Sequence, residues 1–152
     1  MEMGMEILIV ILGLAIDRFT KIWALKSLAN VDDIVVINNI FSFSYLENRG
    51  AAFGIFQNRV LPLAIVTSLV SIAMIYYLVK YKPSSKILRL SLALIISGAI
   101  GNLIDRYVYK YVVDFIMFHY KDVYYFPTFN FADMMVVVGT ALLAICILRD
   151  EK

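Results

Sequence analysis

Two aspartates, nineteen positions apart, stand among apolar residues: Asp114 in "VVDF" (Val112 to Phe115) and Asp133 in "FNFAD" (Phe129 to Asp133). Two carboxyl groups held within a few ångströms at a low-dielectric boundary cannot both ionise easily, so they share a proton and their pKa values separate. One then acts as base toward a water attacking an amide carbonyl, while the other polarises that carbonyl and protonates the leaving amine. Such a pair needs neither a metal nor a nucleophilic side chain. The single histidine, His119, lacks partners for a zinc site or a Ser-His-Asp triad, and the single cysteine, Cys146, lies in an apolar run suited to packing. Each aspartate also has a simpler reading. Asn130 is a good N-cap that Asp133, at N3, completes as a capping box. Asp114, with no cation within three residues, could be an exposed loop aspartate.

The elements that must position these groups follow from composition. Of 152 residues, 62% are hydrophobic and 17% charged, too few polar groups to cover a water-soluble surface. The expected fold is therefore an integral membrane protein, mainly α-helical, in a single domain. Apolar stretches over 5–28, 60–81, 87–105 and 131–149 approach the roughly 20 residues that cross a bilayer, which predicts a four-transmembrane-helix bundle. The first opens with Glu2 and Glu6 and has no small-x-small cleavage pattern, so it reads as a retained helix. Lys80, Lys82, Lys86 and Arg89 in "KYKPSSKILR" form the densest basic cluster and mark the cytoplasmic side. Both termini then face the cytoplasm, and residues 29–59 and 106–130 face outward. The first outer segment is rich in β-branched and aromatic residues and suggests short strands; the tyrosines and phenylalanines of the second suit the headgroup level. A net charge of +2 without a basic arm gives no footing for nucleic acid.

Charged groups inside spans cost free energy and call for a partner or a function. Asp17 and Lys21, four apart, share a helix face and can pair. In "GNLIDR", Asn102 and Asp105 share a face with Arg106 adjacent, which fits a solvated helix end with a local Asp105–Arg106 pair as well as a site. In "NRGAAFG", Gly50, Ala51 and Ala52 permit close backbone approach and Phe53 can cover apolar surface; a packed turn is the alternative. A channel or transporter would distribute polar groups through the depth of several helices, yet residues 61–79 offer only Thr67, Ser68 and Ser71 besides tyrosines. A membrane scaffold would leave Asp114 and Asp133 replaceable.

In this order and spacing, "DRFTK" (Asp17 to Lys21), "NRGAAFG" (Asn48 to Gly54), "SGAIGNLIDR" (Ser97 to Arg106), "VVDF" and "FNFAD" span nearly the whole chain. The sequence resembles the lipoprotein signal peptidases, the bacterial signal peptidase II family. The resemblance implies an aspartyl endopeptidase at the membrane edge that removes the signal peptide of a diacylglyceryl-modified prolipoprotein just before the lipidated cysteine. It implies four spans, a small extracytoplasmic β-rich cradle and a short interfacial helix, in the bacterial cytoplasmic (inner) membrane with the site toward the extracytoplasmic face. Asp114 and Asp133 correspond to the catalytic pair. Asp105 is the rival partner for Asp133, read here as support that Arg106 holds ionised. Asn48, Gly50, Phe53, Asn102, Arg106 and Asn130 match the site lining, the amides and guanidinium being suited to a peptide backbone or lipid carbonyls, and Asp17 and Lys21 match a pair that maintains it. The implied partners are the prolipoprotein and membrane lipid, with the family inhibitor globomycin binding the same site; no metal or cofactor is implied, and a monomer is. Two departures are Arg49, where the family commonly has threonine, and Met134, where a small hydroxyl residue is usual.

Overall fold

The computed structural model describes residues 3–51, 55–121 and 123–149. In chain order the elements are α1 (Gly4–Ser27), β1 (Ile34–Ile37), β2 (Phe41–Asn48), α2 (Val60–Tyr81), α3 (Lys86–Val108), β3 (Val112–Tyr120), β4 (Tyr124–Tyr125) and α4 (Phe131–Leu148). Among the described residues, α2, α3 and α4 are long and apolar enough to cross a membrane. With 24 residues α1 matches them in length, but Asp17, Arg18 and Lys21 interrupt its apolar stretch. Its charges turn inward: Asp17 and Lys21 are fully buried while Leu8, Ile11, Leu12 and Phe19 are exposed. Apolar groups outside and ionic groups inside is the arrangement a lipid solvent favours.

The bundle is organised around α3, which packs on α1, α2 and α4. Small residues make this possible. A Cβ at Gly98 would lie 2.3 Å from the Ala132 carbonyl oxygen in α4, and one at Gly101 would lie 2.6 Å from Asp17 Oδ2 in α1. Without a hydrophobic drive between helices in lipid, such close backbone approach supplies much of the packing. Gly98→Ala forces α3 and α4 apart at the turn that carries Asp133, a cost of about 1–3 kcal/mol that exceeds the gain in helix propensity. Its unfolding midpoint in detergent is expected to fall by several degrees; an unchanged midpoint would contradict this contact.

Element boundaries match the sequence reading within one residue except at the end of α3, which continues to Val108 rather than stopping at 105. Arg106 does not end the helix, and the Tyr109 N–H caps it on the Asp105 carbonyl at 2.7 Å. Within the basic cluster, Arg89 differs from the lysines: it is buried and its Nε lies 2.5 Å from Glu6 Oε1, tying the first turns of α1 and α3.

The sheet runs β1-β2-β3-β4, each neighbour antiparallel. The strands expected in the first outer segment are present. The second outer segment, read as interfacial aromatics, also contributes β3, which pairs Asn48 with Val112 and Leu46 with Asp114. Its first four residues are all buried, so the alternation that announces a half-buried strand is absent. Trp23 of α1 packs edge-on against Phe43 and Phe115 at 5.1 and 6.1 Å between centroids, fixing the sheet over the bundle. No short interfacial helix occurs among the described residues. Residues 55–58 form turns, with Phe56 and Asn58 in left-handed conformations (φ 58° and 62°) that a helix cannot continue.

Candidate active site

The residues before α4 set the site. Asn130 is extended at the N-cap, its Oδ1 accepts the Asp133 N–H at 3.0 Å, and Asp133 Oδ2 accepts the Asn130 N–H at 3.1 Å. This capping box satisfies the first turn of α4 and locks the Asp133 carboxylate at the helix head. The Asn130 side chain reaches further: its Nδ2 donates to Asp114 Oδ1 at 2.7 Å and to Asn102 Oδ1 at 3.1 Å. Asn130 is thus bonded to both aspartates, one through its side chain and the other through its backbone.

The other carboxylate oxygens are held from two more elements. Asn48 Nδ2 at the end of β2 donates to Asp114 Oδ2 at 2.9 Å, and Asn102 Nδ2 on α3 donates to Asp133 Oδ1 at 2.7 Å. Asp114 is 1% exposed, whereas Asp133 is half-buried, and both line one cavity of about 710 Å³. Burial pushes the Asp114 carboxyl up to about 7, and the negative charge of Asp133 adds to that rise, against the lowering effect of the bonds from Asn48 and Asn130. A proton held on Asp114 beside a second carboxyl in one cavity is what water-mediated amide hydrolysis uses. On the far side the cavity meets Met134, Val137 and Val138, which α4 exposes.

Next to the cavity lies a buried ion cluster. Lys21 Nζ is 3.1 Å from Asp17 Oδ2, 3.0 Å from Asp105 Oδ2 and 2.8 Å from Asn102 Oδ1. Asp17 Oδ1 accepts the Ala132 N–H at 3.1 Å, so α1 also holds the head of α4. Asp105 is fully buried, bonded by Arg18 and by the Val113 N–H at 3.1 Å, and is not among the residues lining the cavity. The expected Asp105–Arg106 pair is replaced by Arg18 and Lys21, because neighbouring positions on a helix point in different directions. Arg106 faces the cavity instead and donates to the Gly50 carbonyl at 3.3 Å, while the Gly50 N–H bonds Asn48 Oδ1 at 3.0 Å.

Asp114, Asp133, Asn48, Asn102 and Arg106 thus line one cavity, with Gly50 bonded to two of them, and the fully buried Asn130 bonds both aspartates without lining it. Asp17, Lys21 and Asp105 form the adjoining cluster. Phe53 lies outside the described residues. The three asparagines, read from sequence as suited to a peptide backbone, direct their side-chain amides at the carboxylates. Arg49 pairs with Glu47 at 2.9 Å and stands 5.8 Å from the Tyr111 ring centre, exposed. His119 lies in β3, where its Nε2 is 3.2 Å from the hydroxyl of buried Ser42. Sequence reasoning did not nominate Arg18 for the ion cluster or Glu47, Gln57 and Thr128 for the cavity wall. Arg18 sits beside a nominated aspartate and could have been found; the other three carry no local signal.

Residues 9–149 match the model of the family described as Signal peptidase (SPase) II. A protein of Clostridium novyi (strain NT) named lipoprotein signal peptidase is 59% identical over 97% of this chain and 100% of its own length. One of the same name from Clostridioides difficile (strain 630) is 46% identical over 96% of each chain. A solved structure described as a bacterial membrane enzyme superposes with a TM-score of 0.88 at 32% identity, covering 97% of this chain and 89% of that one. A second with that description gives 0.83 at 32% identity, covering 97% and 94%.

Proposed function

Because the chain belongs to the signal peptidase (SPase) II family, we propose that it is an aspartyl endopeptidase cleaving diacylglyceryl-modified prolipoproteins immediately before the lipidated cysteine. The observation that carries this reading is the pair Asp114 and Asp133, both bonded to Asn130 on one cavity that reaches the apolar face of α4. Asp133 takes a proton from a water whose oxygen attacks the scissile carbonyl carbon, and Asp114 gives its proton to the carbonyl oxygen. From the resulting gem-diol, Asp133 passes its proton to the amide nitrogen, the C–N bond breaks, and Asp114 recovers a proton from a diol hydroxyl. The products are a carboxylic acid on the signal peptide and a free amine on the lipidated cysteine, between which a proton passes to give carboxylate and ammonium, with both aspartates returned to their starting states. The donors that Asn48, Asn102 and Asn130 present keep both groups aimed before substrate arrives, so little reorganisation is needed.

In this reading four helices span the bilayer, with α1 as the charged member, both termini cytoplasmic and the sheet forming an extracytoplasmic cradle. The acyl chains of the precursor stay in lipid beside Met134, Val137 and Val138, where each buried CH₂ contributes ~0.8 kcal/mol. Globomycin competes for the same cavity, and the working unit is a monomer.

The direction of the Asp114 shift fixes a pH dependence. The acid is active while protonated, and its pKa is raised to about 7, so kcat/KM is expected to fall as pH rises through 7, bending near that value and approaching a tenfold loss per unit on the alkaline side. A profile that instead rises through pH 7 would reverse or remove the assigned roles. The activity itself is tested with the purified protein in detergent or lipid. A diacylglyceryl-modified precursor should shift on a gel and its unmodified counterpart should not; an unshifted lipidated precursor would reopen the scaffold and transporter readings.

A further inference from the structure

This inference rests on the peptidase reading of the cavity. Asn48 and Asn102 on its wall and the fully buried Asn130 have their side-chain amides engaged: Asn48 with Asp114, Asn102 with Asp133, and Asn130 with Asp114 and Asn102. Both N–H groups of the Asn130 amide are taken, while Asn48 and Asn102 each commit one N–H to aiming a carboxylate and keep the other. Thr128 differs. It lines the same cavity, half-buried, two residues before Asn130, and among the described residues neither its hydroxyl nor its main-chain N–H or carbonyl has a hydrogen-bond partner.

Its position is nevertheless well determined. Phe129 exchanges backbone bonds with Ile116 at 3.0 and 2.9 Å, and the Phe126 N–H bonds the Phe118 carbonyl at 2.8 Å. The Phe129 ring stacks on Phe118 with centroids 6.0 Å apart. A polar residue fixed from both sides on the cavity wall, with no partner among the described residues, has hydrogen-bonding groups that a ligand in the cavity can take without breaking a protein bond. A hydroxyl can donate and accept, so it can meet either group of a peptide unit.

We propose that Thr128 is a substrate-binding residue, whose hydroxyl bonds a main-chain amide of the extended stretch of precursor beside the scissile bond. Its free N–H and carbonyl offer the same stretch strand-type pairing, main-chain bonds that tolerate many side-chain sequences.

The test compares wild type, Thr128→Val and Thr128→Ser on a diacylglyceryl-modified precursor. Valine keeps the shape and removes the hydroxyl, so KM should rise about 5- to 20-fold with kcat within about twofold, the pattern of lost uniform binding. Serine should stay within about threefold of wild type, and the unfolding midpoints should coincide. A KM for Thr128→Val within twofold of wild type would overturn the assignment, as would a serine variant equally impaired, since packing of the methyl group would then be the cause. Should the wild type show no turnover, the peptidase reading fails separately. Affinity of the same three proteins for the intact precursor then carries the same expectation and the same refutation.

Discussion

Asp114→Asn and Asp133→Asn each lower kcat/KM by at least about 10³-fold, the range of a lost general acid or base, while unfolding midpoints stay within a few degrees of wild type. Asparagine keeps the volume of the side chain. At 114 it also removes a carboxyl that burial already disfavours as an anion, so the fold has little reason to suffer. The chemistry has every reason to: an amide at 114 has no proton of suitable acidity to give, and an amide at 133 cannot take one from water. The double variant is expected to be no worse than either single one, since the two groups act as a unit. Rates that multiply instead would mean two independent contributions, and a Asp114→Asn variant retaining wild-type activity would move suspicion to Asp105.

Lys21→Met, by contrast, is expected to act on stability first. Lys21 is fully buried and stands within 3.1 Å of both Asp17 and Asp105. Methionine fills the space but leaves two buried carboxylates with Arg18 as their one remaining ion-pair partner among the described residues. Removing one partner of a buried ionic cluster costs about 3–5 kcal/mol, which for a chain of this size corresponds to a midpoint lower by roughly 10 °C. Activity should fall too, because Lys21 accounts for the orientation of Asn102: its ammonium bonds Oδ1, leaving Nδ2 to face Asp133. Adding Asp17→Asn should recover part of the lost midpoint by removing one uncompensated charge. Thermal unfolding of the single and double variants in the same detergent checks this. A single variant as stable as wild type would show that the cluster is not held by charge.

How much of this could be read from the chain depends on whether the signal is local. The capping box at Asn130 and Asp133 is a three-residue pattern with a fixed geometry, and the structure forms it as the sequence suggests. The long apolar runs gave α1, α2 and α4 to within a residue. The pairing of Asp17 with Lys21 follows from helical spacing alone. Contacts that close over long separations were not legible. Asp105 was matched with its neighbour Arg106, whereas its real partners lie on α1, one of them 87 residues away. β3 was missed because both of its faces are covered at the start, which removes the alternation. The asparagines were read as ready for substrate because their chemistry suits a peptide; only the assembled geometry shows their amides already bonded to carboxylates. Thr128 has no pattern at all and enters through its place on the cavity wall with no hydrogen-bond partner among the described residues.

The most direct test of the central claim is intact-mass analysis of the fragments that the purified protein releases from a diacylglyceryl-modified precursor in heavy-oxygen water. The account predicts one fragment beginning at the lipidated cysteine with a free amine, and one signal peptide whose new carboxylate carries a single solvent oxygen, with neither formed by Asp133→Asn. A cut at another bond, or the same fragments from the Asp133→Asn protein, would contradict it.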